Sequence, residues 1–124
     1  DLSDADMLIL PGGMPGAKNL LEHDGVCAAL MLQNEKGCKI AAICAAPMVL
    51  GQNGILNSRR ATCYPGFERY LDGADYTGDM VTVDGNITTG RGPGAAMAFA
   101  YQILSYFVDH ATVENLKKGM IYKQ

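Results

Sequence analysis

Residues 39–47 read KIAAICAAP, and the rest of the chain is interpreted around this stretch. Residues 39–43 are a short apolar run, the pattern of a buried parallel strand. Pro47 stands where a helix would begin, a position that tolerates its missing N–H. Cys44 falls at the turn between the two elements, and the small alanines on either side leave room for a sharp bend. This pattern is typical of a nucleophile elbow in which Cys replaces Ser.

Two interpretations of Cys44 stay open. Unpaired N–H groups at a helix start, together with the helix dipole, favour a thiolate, so Cys44 can be a reactive nucleophile. Most free cysteines are instead small buried hydrophobes. The position at the elbow favours the reactive interpretation.

The composition indicates one domain and argues against several classes of function. The chain has 124 residues, 48% of them hydrophobic, and a formal net charge of -3. It has no run of Lys or Arg that would attract nucleic acid, and no apolar run approaches the ~20 residues of a membrane span. The four cysteines lack CxxC spacing and a nearby His pair, which argues against a zinc site. We expect reduced thiols and a cytoplasmic protein.

The order of the predicted elements indicates an α/β layered domain with a mostly parallel sheet. Helices are separated by Gly and Pro breaks, and a hairpin is predicted around Gly85 and Asn86. The predicted strands are residues 5–10, 39–43, 61–63, 81–84 and 87–89. The predicted helices are residues 24–36 with Asp24 as the cap, 47–52, 67–71, a long helix through 97–108, and a last helix capped by Thr112.

Three loops follow strand ends and are therefore expected to meet at one crevice, outside the carboxyl ends of the strands. They carry the pair Gly12 and Gly13, Cys44, and Arg91. A glycine pair lets backbone N–H groups approach a ligand, although an ordinary tight turn explains it equally well. Arg91 can anchor a carboxylate or brace its loop, and bracing is the favoured interpretation.

The remaining candidate side chains are weaker. Tyr64 follows the strand at 61–63 and can edge the pocket, although a packed aromatic is an equal alternative. Cys63 is a weak candidate for a second redox thiol. His23 and His110 sit at helix junctions or ends and are interpreted as structural, so no Cys–His dyad is evident.

The motifs ADMLILPGG, AAICAAP and TGRGPG, in this order, resemble those of the ThiJ/PfpI family, in its deglycase-like branch, within the class I glutamine amidotransferase-like superfamily. The resemblance covers essentially the whole chain. It implies a flavodoxin-like three-layer sandwich and a homodimer. It also implies that Cys44 is the nucleophile, and that backbone N–H groups of Gly12, Gly13 and Ala45 bind an oxyanion.

The chain departs from the family pattern at three points. The family has a strand and helix upstream that supply a Glu to the elbow Cys, and no residue of this chain can be assigned that role. We therefore expect residues 1–124 to be the C-terminal part of a single domain, stable only with a complementary N-terminal segment. Ala45 replaces the His of the protease branch, which argues against peptidase activity. Tyr64 stands where the deglycase branch often has His.

Two classes of function follow from the resemblance. The first is a cofactor-independent glyoxalase or deglycase, in which Cys44 attacks methylglyoxal or a glycated adduct to give a hemithioacetal. The second is a non-enzymatic redox sensor or chaperone in which Cys44 is oxidised to a sulfinate. A role in thiamine-precursor metabolism rests on the family's historical name alone. A small reactive carbonyl is the expected substrate.

Overall fold

A computed structural model describes residues 5–109, 111 and 113, and these residues form a sheet with helices packed against it. The strands are β1 (Met7–Leu10), β2 (Lys39–Ile43), β3 (Arg60–Ala61), β4 (Asp75–Tyr76), β5 (Val81–Asp84) and β6 (Ile87–Gly90). The helices are α1 (Gly16–Leu21), α2 (Asp24–Glu35), α3 (Pro47–Gln52) and α4 (Ala96–Leu104). Short 3-10 turns cover Glu68–Tyr70 and Pro93–Ala95.

The main sheet has the strand order β1-β2-β6-β5. Strands β1, β2 and β6 run parallel, whereas β5 is antiparallel to β6. The second sheet pairs only β3 with β4, in parallel. The predicted α/β class, the mostly parallel sheet and the hairpin at Gly85 and Asn86 are therefore confirmed.

The apolar run of β2 is explained by its position, because β2 lies between two strands and is covered on both faces. Ile40, Ala41 and Ala42 are fully buried, as are Leu50 and Leu56 beyond the elbow. Burying an apolar side chain of Leu or Ile size stabilises the fold by about 1.5–3 kcal/mol. The elbow is consequently anchored to the hydrophobic core.

Several predicted boundaries were wrong. The N-cap of α2 is His23, whose Nδ1 accepts from the Val26 N–H at 3.1 Å, and Asp24 is the first helical residue. The strand predicted at 61–63 is Arg60–Ala61, and the helix predicted at 67–71 is a single 3-10 turn. The long helix predicted through 97–108 ends at Leu104. His110 and the cap Thr112 lie outside the described residues.

Candidate functional site

Cys44 lies directly after β2 and three residues before α3, in the turn that the sequence predicts. Its φ of 66° is in the left-handed region, which residues other than Gly rarely adopt. Two long-range hydrogen bonds hold this backbone. The Cys44 N–H donates to the Gly90 carbonyl at 2.9 Å, and the Cys44 carbonyl accepts from the Tyr64 N–H at 2.8 Å. The backbone of the elbow is thus held by the last residue of β6 and by the segment that follows β3.

Gly12 lies against Cys44. A Cβ on Gly12 would collide with Cys44 Cβ, and it would stand 2.8 Å from the Ile43 carbonyl oxygen and 3.3 Å from Cys44 Sγ. Only a glycine therefore fits between β1 and the elbow. The thiol is partly buried and lies beside the backbone of the loop that follows β1.

Gly13 and Ala45 complete the predicted oxyanion-binding set. Gly13 has a φ of 100°, and its carbonyl accepts from the Ala17 N–H at 2.9 Å. Ala45 is buried and follows Cys44 in the turn. The structure brings Gly12 to Cys44 and leaves Gly13 next along the same loop. The oxyanion role of these three N–H groups stays a prediction.

Cys63 differs from Cys44 although both follow strands at the same end of the molecule. Its side chain is fully buried. Burial, followed by the Glu68 carboxylate and Cys44, raises the pKa of the Cys63 thiol to about 12. The thiol therefore stays protonated at neutral pH, which makes it a poor nucleophile.

Glu68 and Tyr76 also lie near this thiol, and their pKa values are shifted. N–H groups of Glu68 itself and of Gly66 lower the pKa of the Glu68 carboxyl, and the Gly66 N–H donates to it at 2.7 Å. Partial burial, then Cys63 and Glu68, raise the pKa of the Tyr76 hydroxyl, while the Arg91 guanidinium opposes this shift. Sequence reasoning overlooked Tyr76, because two-residue strands such as β4 leave no periodic signal.

Tyr64 and Arg91 both line an open groove of about 580 Å³. The other lining residues are Pro65, Met80 and residues 92–95. Tyr64 is 45% exposed, and its ring packs edge-on against Phe67 with centroids 6.4 Å apart. Both interpretations of Tyr64 therefore describe part of its surroundings. Met80 carried no sequence signal, because its approach to Tyr64 depends on how β3 and β5 pack.

Arg91 holds its loop through the backbone, since its N–H donates to the Met80 carbonyl at 2.9 Å. Among the described residues, no hydrogen bond or ion pair engages its guanidinium, whose charge opposes the rise in the pKa of the Tyr76 hydroxyl. The side chain is exposed. Bracing by the guanidinium, the interpretation favoured from sequence, thus has no contact to support it in this part of the chain.

The described residues contain no group of three or more His, Cys, Asp or Glu side chains placed to hold a metal ion. Within the same residues, no helix has the length and apolar character needed to cross a membrane.

Comparison with known proteins identifies the family. The sequence model of the DJ-1/PfpI family matches residues 1–106. The chain belongs to the DJ-1/PfpI family. The fold is accordingly the flavodoxin-like one that the resemblance implies. A crystal structure of Drosophila melanogaster DJ-1beta superposes with a TM-score of 0.92 at 35% identity, covering 99% of this chain and 68% of that one.

Three relatives of this DJ-1/PfpI chain show how far the similarity extends. Protein dj-1beta of Drosophila melanogaster is 37% identical over 94% of the chain. The glutathione-independent glyoxalase DJR-1.2 of Caenorhabditis elegans is 38% identical over 80%, and a protein named as a deglycase from Pyrococcus abyssi is 36% identical over 76%. The chain spans 63%, 53% and 57% of the lengths of these three relatives.

Proposed function

We propose that this chain carries the nucleophile of a cofactor-independent glyoxalase or deglycase, with Cys44 as that nucleophile. The observation that supports the proposal is the contact between Gly12 and Cys44 at a turn held in the left-handed region. Relatives named as a glyoxalase and a deglycase support the reaction class. Cys44 is also the cysteine that lies beside a glycine-rich loop.

The proposed reaction begins with addition of the Cys44 thiolate to the aldehyde carbon of methylglyoxal. A C–S bond forms, the C=O π bond breaks, and the oxygen becomes an alkoxide that N–H groups of Gly12, Gly13 and Ala45 would stabilise. Protonation gives the hemithioacetal. The hydrogen on the hemithioacetal carbon then moves as a proton to the neighbouring carbon, and the hydroxyl proton moves to the former ketone oxygen, which gives the thioester of lactate. Water then releases lactate and the free thiol. The proton shuttle is a Glu outside this chain, as the resemblance implies.

The test uses the full-length protein that contains these residues. We expect Cys44→Ser to lower lactate formation from methylglyoxal by at least about a hundredfold, since loss of a nucleophile removes the covalent route. Cys38→Ser is the matched control, because Cys38 is a partly buried thiol outside the elbow. Equal conversion by the wild type and Cys44→Ser, or conversion by neither, would contradict the proposal.

The second candidate, a redox sensor in which Cys44 is oxidised to a sulfinate, is supported by the contrast between Cys44 and Cys63. Cys44 is partly exposed beside fixed backbone, whereas the Cys63 thiol is buried and protonated. Thiolate character and exposure decide which cysteines peroxide oxidises. Mass spectrometry after mild peroxide treatment should place the added oxygens on Cys44. Oxidation spread evenly over all four cysteines would argue against this function.

The partners of the whole protein stay proposals as well. A homodimer and a complementary N-terminal segment are implied by the family resemblance, as is a small carbonyl substrate. Sedimentation of the full-length protein would distinguish a monomer from a dimer.

A further inference from the structure

The groove beside the elbow is connected to Cys44 through backbone hydrogen bonds. One wall begins at Tyr64, whose N–H donates to the Cys44 carbonyl at 2.8 Å. The opposite wall begins at Arg91, which follows Gly90, the acceptor for the Cys44 N–H at 2.9 Å. The groove therefore lies next to the backbone of the elbow. Cys44 is not one of its lining residues, so a bound molecule would reach the thiol by extending beyond the lining. A volume of about 580 Å³ is within the range of small-molecule sites.

The lining of the groove is mostly apolar. Of the lining residues, Arg91 is the one with a cationic side chain. Met80 is 49% exposed and Tyr64 45% exposed, and two prolines complete the apolar surface. The Arg91 backbone is fixed to Met80, and its guanidinium has no ion-pair partner in the described part of the chain. A neutral dicarbonyl such as methylglyoxal would leave this cation unused.

We propose that the groove is a subsite for the carboxylate end of a carbonyl substrate, bound by Arg91 while Cys44 attacks the carbonyl carbon. This inference rests on the proposed function for the role of Cys44. The planar guanidinium presents two parallel N–H donors that match the two oxygens of a carboxylate. The apolar walls at Tyr64 and Met80 would contact the short carbon chain between the two groups. The substrate class is thus an aldehyde or ketone bearing a carboxylate.

The binding step is a reversible addition and needs no oxidant. The Cys44 sulfur forms a bond to the carbonyl carbon, the C=O π bond breaks, and the oxygen takes a proton. The product is a hemithioacetal that blocks the thiol. Blocking can be measured without turnover, as protection of Cys44 from alkylation by iodoacetamide.

The experiment compares 4-oxobutanoate with its methyl ester, which share a carbon skeleton and differ in charge. In the full-length protein we expect the acid to protect Cys44 at a roughly tenfold lower concentration, which corresponds to about 1.4 kcal/mol. In Arg91→Gln, the acid and the ester should protect Cys44 at nearly equal concentrations. Arg91→Lys keeps the positive charge but loses the two parallel N–H donors, and should keep part of the preference for the acid over the ester.

Arg69→Gln is the matched control. It removes the same charge, but Arg69 lies outside the groove, where its guanidinium stacks on Tyr70 at 4.9 Å. The preference for the acid should survive in this variant. Equal protection by acid and ester in the wild type, protection by neither, or equal losses in Arg91→Gln and Arg69→Gln would each overturn the proposal.

Failure of the proposed subsite can be distinguished from failure of the proposed function. If lactate is not formed but the acid still protects Cys44 through Arg91, the subsite stands and the turnover proposal fails. If lactate is formed through Cys44 while acid and ester protect equally, the subsite fails alone.

Discussion

Cys44 and Cys63 each lie just beyond the end of a strand, Cys44 after β2 and Cys63 after β3, yet their environments differ. Cys44 is partly exposed, adopts a φ of 66° and contacts a glycine loop. Cys63 is fully buried, and its pKa is raised to about 12. The two thiols therefore differ in accessibility and in protonation although both belong to segments near the candidate site. We attribute the proposed reactivity of Cys44 to the turn and its glycine neighbour and not to the cysteine alone.

The largest effect on the environment of Cys44 is expected when the space beside it is filled. Gly12→Ala would place a methyl group into Cys44 Cβ and against the Ile43 carbonyl. We expect a loss of about 1–3 kcal/mol in the free energy of unfolding, because packed regions accommodate extra atoms poorly. The rate at which Cys44 is alkylated should change as well, because the added methyl group forces the elbow to move. Urea unfolding and thiol labelling of the full-length variant measure the two effects.

Gly16→Ala is the control for this substitution. Gly16 begins α1, and a Cβ there meets nothing within 4 Å. Its free energy of unfolding should stay within about 0.5 kcal/mol of the wild type. Equal behaviour of the two variants would show that Gly12 is not required at the elbow.

The environment of Cys63 predicts a dependence of stability on pH. The unfolded thiol loses its proton near pH 9.0, whereas the folded one keeps it to about pH 12. The stability that the protonated thiol contributes is full below pH 9.0 and falls by about 1.4 kcal/mol per pH unit above it. Cys63→Ala should flatten this decline between pH 9 and 10.5 in urea titrations. An unchanged slope in the variant would mean that Cys63 ionises normally.

The smallest expected effect concerns the phenol of Tyr64. Its ring lines the groove and packs against Phe67, and its backbone N–H holds the elbow. Tyr64→Phe retains all of these contacts, so the free energy of unfolding should change by no more than about 0.5 kcal/mol. Methylglyoxal turnover, measured as lactate formed, should stay within about twofold. A large loss of turnover would assign chemistry to the hydroxyl.

Much of the fold was predictable because its signals are local. The apolar run at β2 followed by Pro47 identified the elbow, and the alternation around Gly85 and Asn86 identified the hairpin. The errors lie where tertiary contacts decide. His23 displaces Asp24 as the cap because its side chain reaches the Val26 N–H, and β4 forms only through pairing with β3.

The place of the candidate site could be predicted from the sequence, but its geometry could not. The loops after strand ends predicted that Gly12, Cys44 and Arg91 lie near one crevice. The fit of Gly12 against Cys44 and the hydrogen bonds to Gly90 and Tyr64 depend on sheet register, which no local pattern specifies. Tyr64 and Arg91, predicted at the edge of the pocket, both line the groove, whereas Met80 was missed for the same reason.

Competitive alkylation of the four cysteines in the native full-length protein, resolved by mass spectrometry, tests the central claim most directly. With limiting iodoacetamide at pH 7.5, we expect Cys44 to be labelled first and Cys63 to be labelled last. Labelling of Cys63 should be slower than that of Cys44 by a factor on the order of a thousand, because so little of the Cys63 thiol is present as thiolate. Labelling of Cys44 no faster than that of Cys38, or of Cys63 as fast as that of Cys44, would contradict it.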